Sequence, residues 1–490
     1  MNQSKTKRLY QINIRNFLKE QKVVNILQIP IAFWESLEIN GIDSIWLMGV
    51  WQICLASKEK AELQTYDLDE LKYTKNDIVG SCFAIEDYIF DVNIGNSQDF
   101  LRLKQILNNL GIKLILDFIP NHFGMSSSLI FDYPEIFLES QELVVGSSFE
   151  FMTKFGKKYF YHGKDPHFDS WNDTVQIDYS KKATHDFMTK KLENVAKYCD
   201  GVRCDMTMLV LPEVFSKTWN IDFDEENIKN TCFWQEVVPV MKKQKAEIGE
   251  DFIFLAEVYW DLEKAMLDFG FDFVYNKKLL DNLKKKQYQE VINSIQLPNG
   301  ILFLENHDED RSSKIFDNNI LKLCFVLLCF CPNLQFFQHG QWQLQTIRVP
   351  IQVCIPEISP QQVNNKTRVF YDKILQYTAK NILLDNFVYV LSQLEERLIA
   401  ITWQNQVSKT KIVLVINFLE QKQSLNINTF LEQGSEGSSL QNLVKIISFT
   451  DKLTVLADTK INKELELTTY IKPYDFIILE IGLDFDQVIK

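Results

Sequence analysis

The sequence predicts a (β/α)8 barrel carrying one long insertion and followed by an all-β antiparallel domain. Three observations lead there. Eight short apolar runs are spaced along the first three-quarters of the chain, helical patterns lie between several of them, and the texture becomes continuously strand-like near the C-terminus. Strands alternating with helices imply parallel pairing through right-handed crossovers. An open, doubly wound sheet produces the same alternation, so the count of eight suggests closure without requiring it.

The runs are Tyr10–Ile14, Ser44–Gly49, Leu114–Ile119, Gly201–Asp205, Phe252–Val258, Phe271–Tyr275, Ile301–Leu304 and Leu334–Gln338. Helical periodicity precedes the third (Asp99–Leu110) and the fifth (Phe233–Lys245). A barrel of this kind takes ~250 residues and grows with insertions, so a chain of 490 residues leaves room for more. From Asn121 to about Tyr179 the chain is rich in Phe, Tyr, Gly, Asp and His and shows no long helical period. A connection of that length is usually functional. After about Asn386, Phe387–Leu391, Leu398–Trp403, Lys411–Asn417 and Phe476–Ile481 read as strands with no helix-length segment between them. The expected division is a catalytic barrel over 1–385, with its insertion over 122–180, and a β-sandwich-like domain over 386–490. The Gln/Asn-rich patches Gln341–Gln345 and Gln361–Asn365 read as compositional bias.

Composition narrows the function. A hydrophobic fraction of 46% with 36 Phe supplies a core that needs no disulfide or metal staple. The net charge of −13 argues against nucleic acid or an anionic membrane as partner, since both demand clustered Lys and Arg. Nine cysteines occur without paired C-x-x-C motifs, and Cys324, Cys329 and Cys331 lie in an apolar run, which reads as buried free thiols in a reducing compartment. The polar, basic start Met1–Tyr10 reaches no apolar signal-peptide core. Ile320–Cys331 is too short for the ~20 residues of a membrane span and reads as a buried helix. The expectation is a cytoplasmic protein acting on a neutral ligand.

Polar residues gather at the C-terminal ends of four of the runs, where barrel active sites sit. The third ends Asp117-Phe118-Ile119-Pro120-Asn121-His122, the fourth Gly201-Val202-Arg203-Cys204-Asp205, the fifth Leu255-Ala256-Glu257-Val258, and the seventh Glu305-Asn306-His307-Asp308. A lone Asp at a strand end is more often a helix cap or turn former. Four such clusters on one barrel face, holding two of the six histidines, are another matter. Asp205, Glu257 and Asp308 with Arg203 nearby suit glycosyl transfer, in which one carboxylate is ionised at the anomeric carbon and another is protonated beside the leaving oxygen. On this reading Arg203 holds the Asp205 pKa low. Burial on an apolar strand keeps Glu257 protonated. Asp308, His122 and His307 bind the hydroxyls of the reacting sugar.

The four clusters resemble, in order and spacing, the four sequence regions of glycoside hydrolase family 13, the α-amylase family. Asp117–His122 is similar to the first region, Gly201–Asp205 to the second with the nucleophile last, Glu257 to the acid/base of the third, and Asn306-His307-Asp308 to the fourth, with Asp308 as transition-state stabiliser. Tyr10-Gln11-Ile12-Asn13 resembles the family's first strand. The resemblance spans about Tyr10 to Asp385 and makes the Asn121–Tyr179 segment a domain B that walls the cleft. It implies a retaining enzyme on α-linked glucans or gluco-oligosaccharides, with a covalent intermediate on Asp205. Arg203, His122, His307, Phe83, Asp117 and Arg311 would be substrate-binding residues. No cofactor is required, although Asn121 matches a calcium ligand of many members and calcium is possible. The same machinery serves a transglycosylase, isomerase or phosphorylase. A non-catalytic glucan-binding protein is the rival from another class, and a carboxyl separation of about 7 Å or more would favour an inverting enzyme.

Three departures stand out. Met208 and Leu209 occupy the places of a Lys and a His that commonly reach acceptor sugars, which would leave the acceptor side more apolar. Phe83, ahead of Asp87-Tyr88, replaces a stacking Tyr. Arg311 resembles an Arg of the exo-acting and oligosaccharide-acting branches, and reads equally as a surface partner of Glu309 and Asp310. Trp171, Tyr161, His162 and Trp260 are candidate cleft-lining residues.

Overall fold

The computed structural model describes residues 7–66, 68, 72–221, 232–356, 365–383, 387–395, 397–430, 442–449, 453–461 and 468–482. The expected boundary at 385/386 and most of the 361–365 patch lie outside the described residues.

All eight expected runs contain strands, whose ends differ from the expected ones by no more than two residues. They are β1 (Arg8–Asn13), β2 (Ser44–Met48), β3 (Lys113–Phe118), β4 (Gly201–Cys204), β5 (Ile253–Ala256), β6 (Phe273–Tyr275), β7 (Gly300–Leu302) and β8 (Leu334–Gln338). Every neighbouring pair is parallel, and the order β1-β8-β7-β6-β5-β4-β3-β2 closes on itself. Closure explains why these runs are buried on both faces instead of alternating: their inward faces fill the barrel and their outward faces are covered by helices. β2, β5 and β8 are buried along their whole length.

Local signals set the helices between the strands. Asn96 caps Ser97–Asn109 by accepting from the N–H groups of Gln98 and Asp99, and Asp99 accepts in return from the Asn96 N–H, a reciprocal capping box. Asp317 caps Asn318–Phe330, the buried helix expected from the run Ile320–Cys331. Among the described residues no helix is long and apolar enough to cross a membrane. Gly201 opens β4 because its neighbours leave no room there: a Cβ would lie 2.5 Å from the Ile253 carbonyl oxygen.

At the N-terminal end of the barrel Arg8 is fully buried. It donates to Gln335 Oε1 (2.8 Å) and to the carbonyls of Asn40 (2.7 Å) and Leu375 (2.8 Å). One guanidinium thus joins β1, β8 and the outer helix Asn365–Asn381, which is a structural use of charge.

The 122–180 insertion is a small β unit. His122–Gly124 pairs antiparallel with Thr174–Gln176, and Gly156–Tyr161 pairs with both Glu139–Ser140 and Ser148–Thr153. The C-terminal strands form a six-stranded antiparallel sheet, with Gln423–Asn426 and Thr468–Ile471 as a separate pair. The two-residue period of a strand divides its faces. Ile399, Ile401, Trp403, Leu414 and Ile478 join the barrel's core, while Leu398, Ala400, Val413, Val415 and Leu479 form a second core on the other side. The Trp403 indole donates to the Phe330 carbonyl (2.9 Å) and ties sheet to barrel.

Candidate active site

Parallel strands bring all four polar clusters to one end of the barrel, around a cleft of about 770 Å³. Phe83, His122, Asp205, Glu257, His307 and Asp308 line it, and the insertion supplies a wall that includes Asp165, Phe168, Trp171 and Asp173.

Arg203 organises the floor. Its Nη1 donates to Asp205 Oδ1 at 2.7 Å and lies 3.4 Å from Asp117 Oδ1, while its Nη2 donates to Glu257 Oε2 at 2.5 Å. The guanidinium is fully buried among the rings of Trp46 (4.8 Å), Phe83 (5.3 Å) and Tyr275 (5.8 Å). A buried cation this well partnered holds two carboxylates together that would otherwise repel. Asp117 lies beneath, against Arg203, and is absent from the cleft wall. Its effect on a bound sugar would pass through the guanidinium.

The electrostatics amend one expectation. Burial raises the Asp205 carboxyl above the ordinary carboxylate range, with Arg203 pulling against it, so Arg203 offsets the desolvation of Asp205 without reversing it. Burial raises Glu257 to about 7, again opposed by Arg203 and reinforced by the charges of Asp205 and Asp308. Asp117 is likewise raised by burial to about 7. The sequence pairs Arg203 with its near neighbour Asp205. Only the barrel shows that Glu257, 54 residues away, shares it.

The loop after β4 wraps the acid from β5. Met206 adopts φ 41°, a left-handed conformation unfavourable for a residue with a side chain. Its N–H donates to Glu257 Oε2 at 2.9 Å, and Thr207 donates to the Glu257 carbonyl through both N–H (2.9 Å) and Oγ1 (2.7 Å). This turn also corrects the reading of Met208 and Leu209. They fall in the short helical turn Thr207–Val210 and are buried at 0% and 3% exposure, Met208 in the hydrophobic core, so Met206 and not they faces the cleft. Tyr259, which the sequence reading passed over, lines the cleft and donates to Glu257 Oε1 at 2.9 Å. Its signal was only an aromatic two residues past an acid.

Both histidines are poised as neutral donors. Gln11 Nε2 lies 3.0 Å from His307 Nδ1, leaving Nε2–H to face Asp308 Oδ2 at 3.1 Å. Burial lowers His307, and lowers His122 to about 4. The Asp308 side chain is half exposed in the cleft, and its carbonyl accepts from Arg348. Phe83 packs at 5.4 Å against the His307 ring.

Other expected residues fall elsewhere. Arg311 is neither on the surface nor on the cleft wall: it is buried, donating to Glu305 Oε1 (2.7 Å) and to the His339 carbonyl (2.9 Å). Serine 312 completes Glu305 through its N–H and Oγ, so this pair braces the loop behind Asp308. Trp171 and Trp260 line the cleft. Tyr161 packs instead on Trp219 at 5.3 Å, and His162 bonds the Thr174 carbonyl at 2.8 Å.

Asn121 is buried, and its Oδ1 accepts from Gln176 Nε2 at 3.0 Å. The same amide nitrogen lies 3.1 Å from the Asn121 carbonyl and 3.0 Å from that of Ile177. Calcium needs six to eight oxygens, usually including carboxylates, and an amide donor already faces the oxygens that Asn121 would offer. Among the described residues no group of three or more His, Cys, Asp or Glu side chains could hold a metal.

A closed parallel barrel with a β insertion after its third strand, three acids at its C-terminal face and a β-sheet domain behind is the fold of the α-amylases. Comparison with known proteins gives the same class. The chain is 21% identical to alpha-amylase 2 of Dictyoglomus thermophilum, over 89% of this chain and 74% of that protein. Among solved structures it superposes on a noncanonic maltogenic alpha-amylase from Thermotoga neapolitana with a TM-score of 0.70 and 19% identity, over 99% of this chain and 100% of the other. An alpha-amylase from Lactobacillus plantarum gives 0.66 and 18%, over 97% and 99%. No protein-family model matches the chain. These homologues are glycoside hydrolases of the α-amylase family, in keeping with the four motifs.

Proposed function

We propose that this protein is a retaining glycoside hydrolase acting on α-linked glucans or gluco-oligosaccharides. The observation that carries the proposal is the one guanidinium bound to both Asp205 and Glu257. Asp205 Oδ2, the oxygen Arg203 leaves open, attacks the anomeric carbon. Glu257 gives its proton to the departing glycosidic oxygen, and the bond's electron pair leaves with that oxygen. Water then enters, loses a proton to Glu257, and displaces Asp205 with net retention. Asp308 and the Nε2–H groups of His122 and His307 would hold the sugar hydroxyls. The α-amylases among its relatives support an α-glucan substrate, and the aromatic wall of Trp171, Trp260 and Phe168 suits stacking on several sugar units. All three acids are present and gathered in the cleft, which favours an enzyme over a glucan-binding protein.

Proton NMR of fresh reactions with maltooligosaccharides and an α-disaccharide panel tests this. The α-anomer should appear first and mutarotate afterwards. An initial β-anomer would assign an inverting reaction, and no turnover of any α-glucoside would remove the proposal. The same assay fixes the pH dependence. Glu257 must be protonated to act as acid, and its carboxyl is raised to about 7. The value of kcat/KM should therefore fall tenfold per pH unit above about 7 as that proton is lost.

Calcium forms no part of the proposal. EDTA should leave the melting temperature within about 1 °C, because removing an ion lowers stability only where the folded state binds one. A drop of several degrees reversed by added calcium would place a cation at Asn121 after all.

A further inference from the structure

We propose that Tyr259 is a positioning residue for the acid/base, fixing which oxygen of Glu257 carries the catalytic proton and stabilising the carboxylate left when that proton departs. The inference rests on the retaining reading above and deepens it.

The argument begins with the two oxygens of Glu257. Oε2 receives Arg203 Nη2 at 2.5 Å and the Met206 N–H at 2.9 Å. Both are obligate donors, so a proton on Oε2 would face two other protons. The acid form must therefore carry its hydrogen on Oε1. Tyr259 Oη lies 2.9 Å from that atom. A phenol, unlike an amide N–H or a guanidinium, both donates and accepts. It can accept from Oε1–H while the cleft is empty. When a glycosidic oxygen takes that hydrogen, the phenol turns and donates to Oε1 as the negative charge develops. The Tyr259 proton is never transferred: the hydrogen on Oε1 passes to the leaving oxygen, and the C–O bonding pair goes with that oxygen. In the second half-reaction Oε1 takes a proton from the incoming water with the phenol still donating.

A second observation is independent of that contact. Trp260 and Asp261, directly after Tyr259, have φ 65° and 61°. Two successive left-handed residues with side chains are unfavourable, and such strain persists where the surroundings require a particular placement. Here it turns the chain just beyond Tyr259, whose half-buried ring lines the cleft beside the acid. The opposite side of Glu257 is held by the strained Met206. The acid is thus clasped between two strained turns, and Tyr259 is the member of the clasp that touches the oxygen bearing the proton.

The test compares Tyr259→Phe with wild type on two donors. Hydrolysis of a maltooligosaccharide needs the acid, whereas α-glucosyl fluoride has a leaving group that departs with little protonation. The variant should lose about tenfold or more on the maltooligosaccharide relative to its loss on the fluoride, the scale of one charge-assisted hydrogen bond. Loss of a donor to the charged form raises the Glu257 pKa, so the descending limb of the pH profile should move to higher pH. A role in packing alone would lower both donors equally and leave the limb in place. Either of those results overturns the proposal, as does a variant equal to wild type on both. A readout without turnover completes the design. In protein labelled with 13C at the glutamate carboxyl carbon, the Glu257 signal (identified by its absence in Glu257→Gln) should titrate at higher pH in Tyr259→Phe. If wild type turns over neither donor, the proposed function fails, and the titration still decides whether Tyr259 acts on Glu257.

Discussion

Replacing Asp205 by Asn is expected to lower kcat by at least about 10⁴-fold on any α-glucan the wild type cleaves, the scale on which loss of a covalent nucleophile disables enzymes. The substitution is nearly isosteric. Asn Oδ1 can still accept from Arg203 Nη1, and the side chain is already 8% exposed. The fold should therefore survive, and the melting temperature separates lost chemistry from lost structure. What disappears is the second carboxylate oxygen's ability to form an ester with the anomeric carbon. Activity within tenfold of wild type in a well-folded variant would take the nucleophile role away from Asp205. The analogous loss in Glu257→Gln should shrink with α-glucosyl fluoride, which needs the acid less, whereas the Asp205→Asn loss should be similar on both donors.

Arg203→Met should be the most destabilising single change in the site. Asp117, Asp205 and Glu257 are all buried and all lie within 3.4 Å of its guanidinium. Removing one partner of a buried ion network costs about 3–5 kcal/mol, because the remaining charges are left uncompensated. The loss should depend on pH in a definite direction. The folded-state pKa values of Asp117 and Glu257 are already raised to about 7, and Asp205 is raised as well. A carboxyl raised in the folded state contributes stability that is complete below its unfolded pKa and is lost as pH rises through the folded value. Without Arg203 those folded values climb further. The melting temperatures of variant and wild type should therefore lie closest near pH 5, where Asp117 and Glu257 hold their protons, and diverge toward pH 8. A gap that stays constant across this range would mean that the charge of Arg203 is not what holds the site. Arg203→Lys should not rescue activity, since one ammonium cannot reach two carboxylates as a planar fork does.

The barrel was legible because its cause is local. The strands are short, mostly apolar runs, and some of the helices between them carry their own cap, as Asn96 and Asp317 illustrate. The division of the C-terminal strands into two faces follows from alternation alone. Strand ends that differ from the expected ones by a residue or two reflect where pairing stops, which the neighbouring strand decides.

The candidate acids were legible for a related reason. In a parallel barrel all strand ends meet on one face, so polar residues placed just after apolar runs must converge whatever their separation in sequence. Which of them touch is another matter. The sharing of Arg203 between Asp205 and Glu257, the bond from Tyr259 to Glu257, the retreat of Asp117 beneath the cleft and the capture of Arg311 by Glu305 depend on rotamers chosen in a closed, crowded interior. After the left-handed turn at Met206, Met208 and Leu209 are buried off the cleft wall, and the amide of Gln176, 55 residues away, occupies the oxygens of Asn121. By itself the sequence determined the alternation of strands and helices and the place of Asp205, Glu257 and Asp308 just past strand ends, since periodicity and strand-end position are properties of short segments. Only the tertiary structure decided the hydrogen-bond partners, the burial that shifts each carboxyl and the walls of the cleft, because these arise between segments that meet solely through barrel closure.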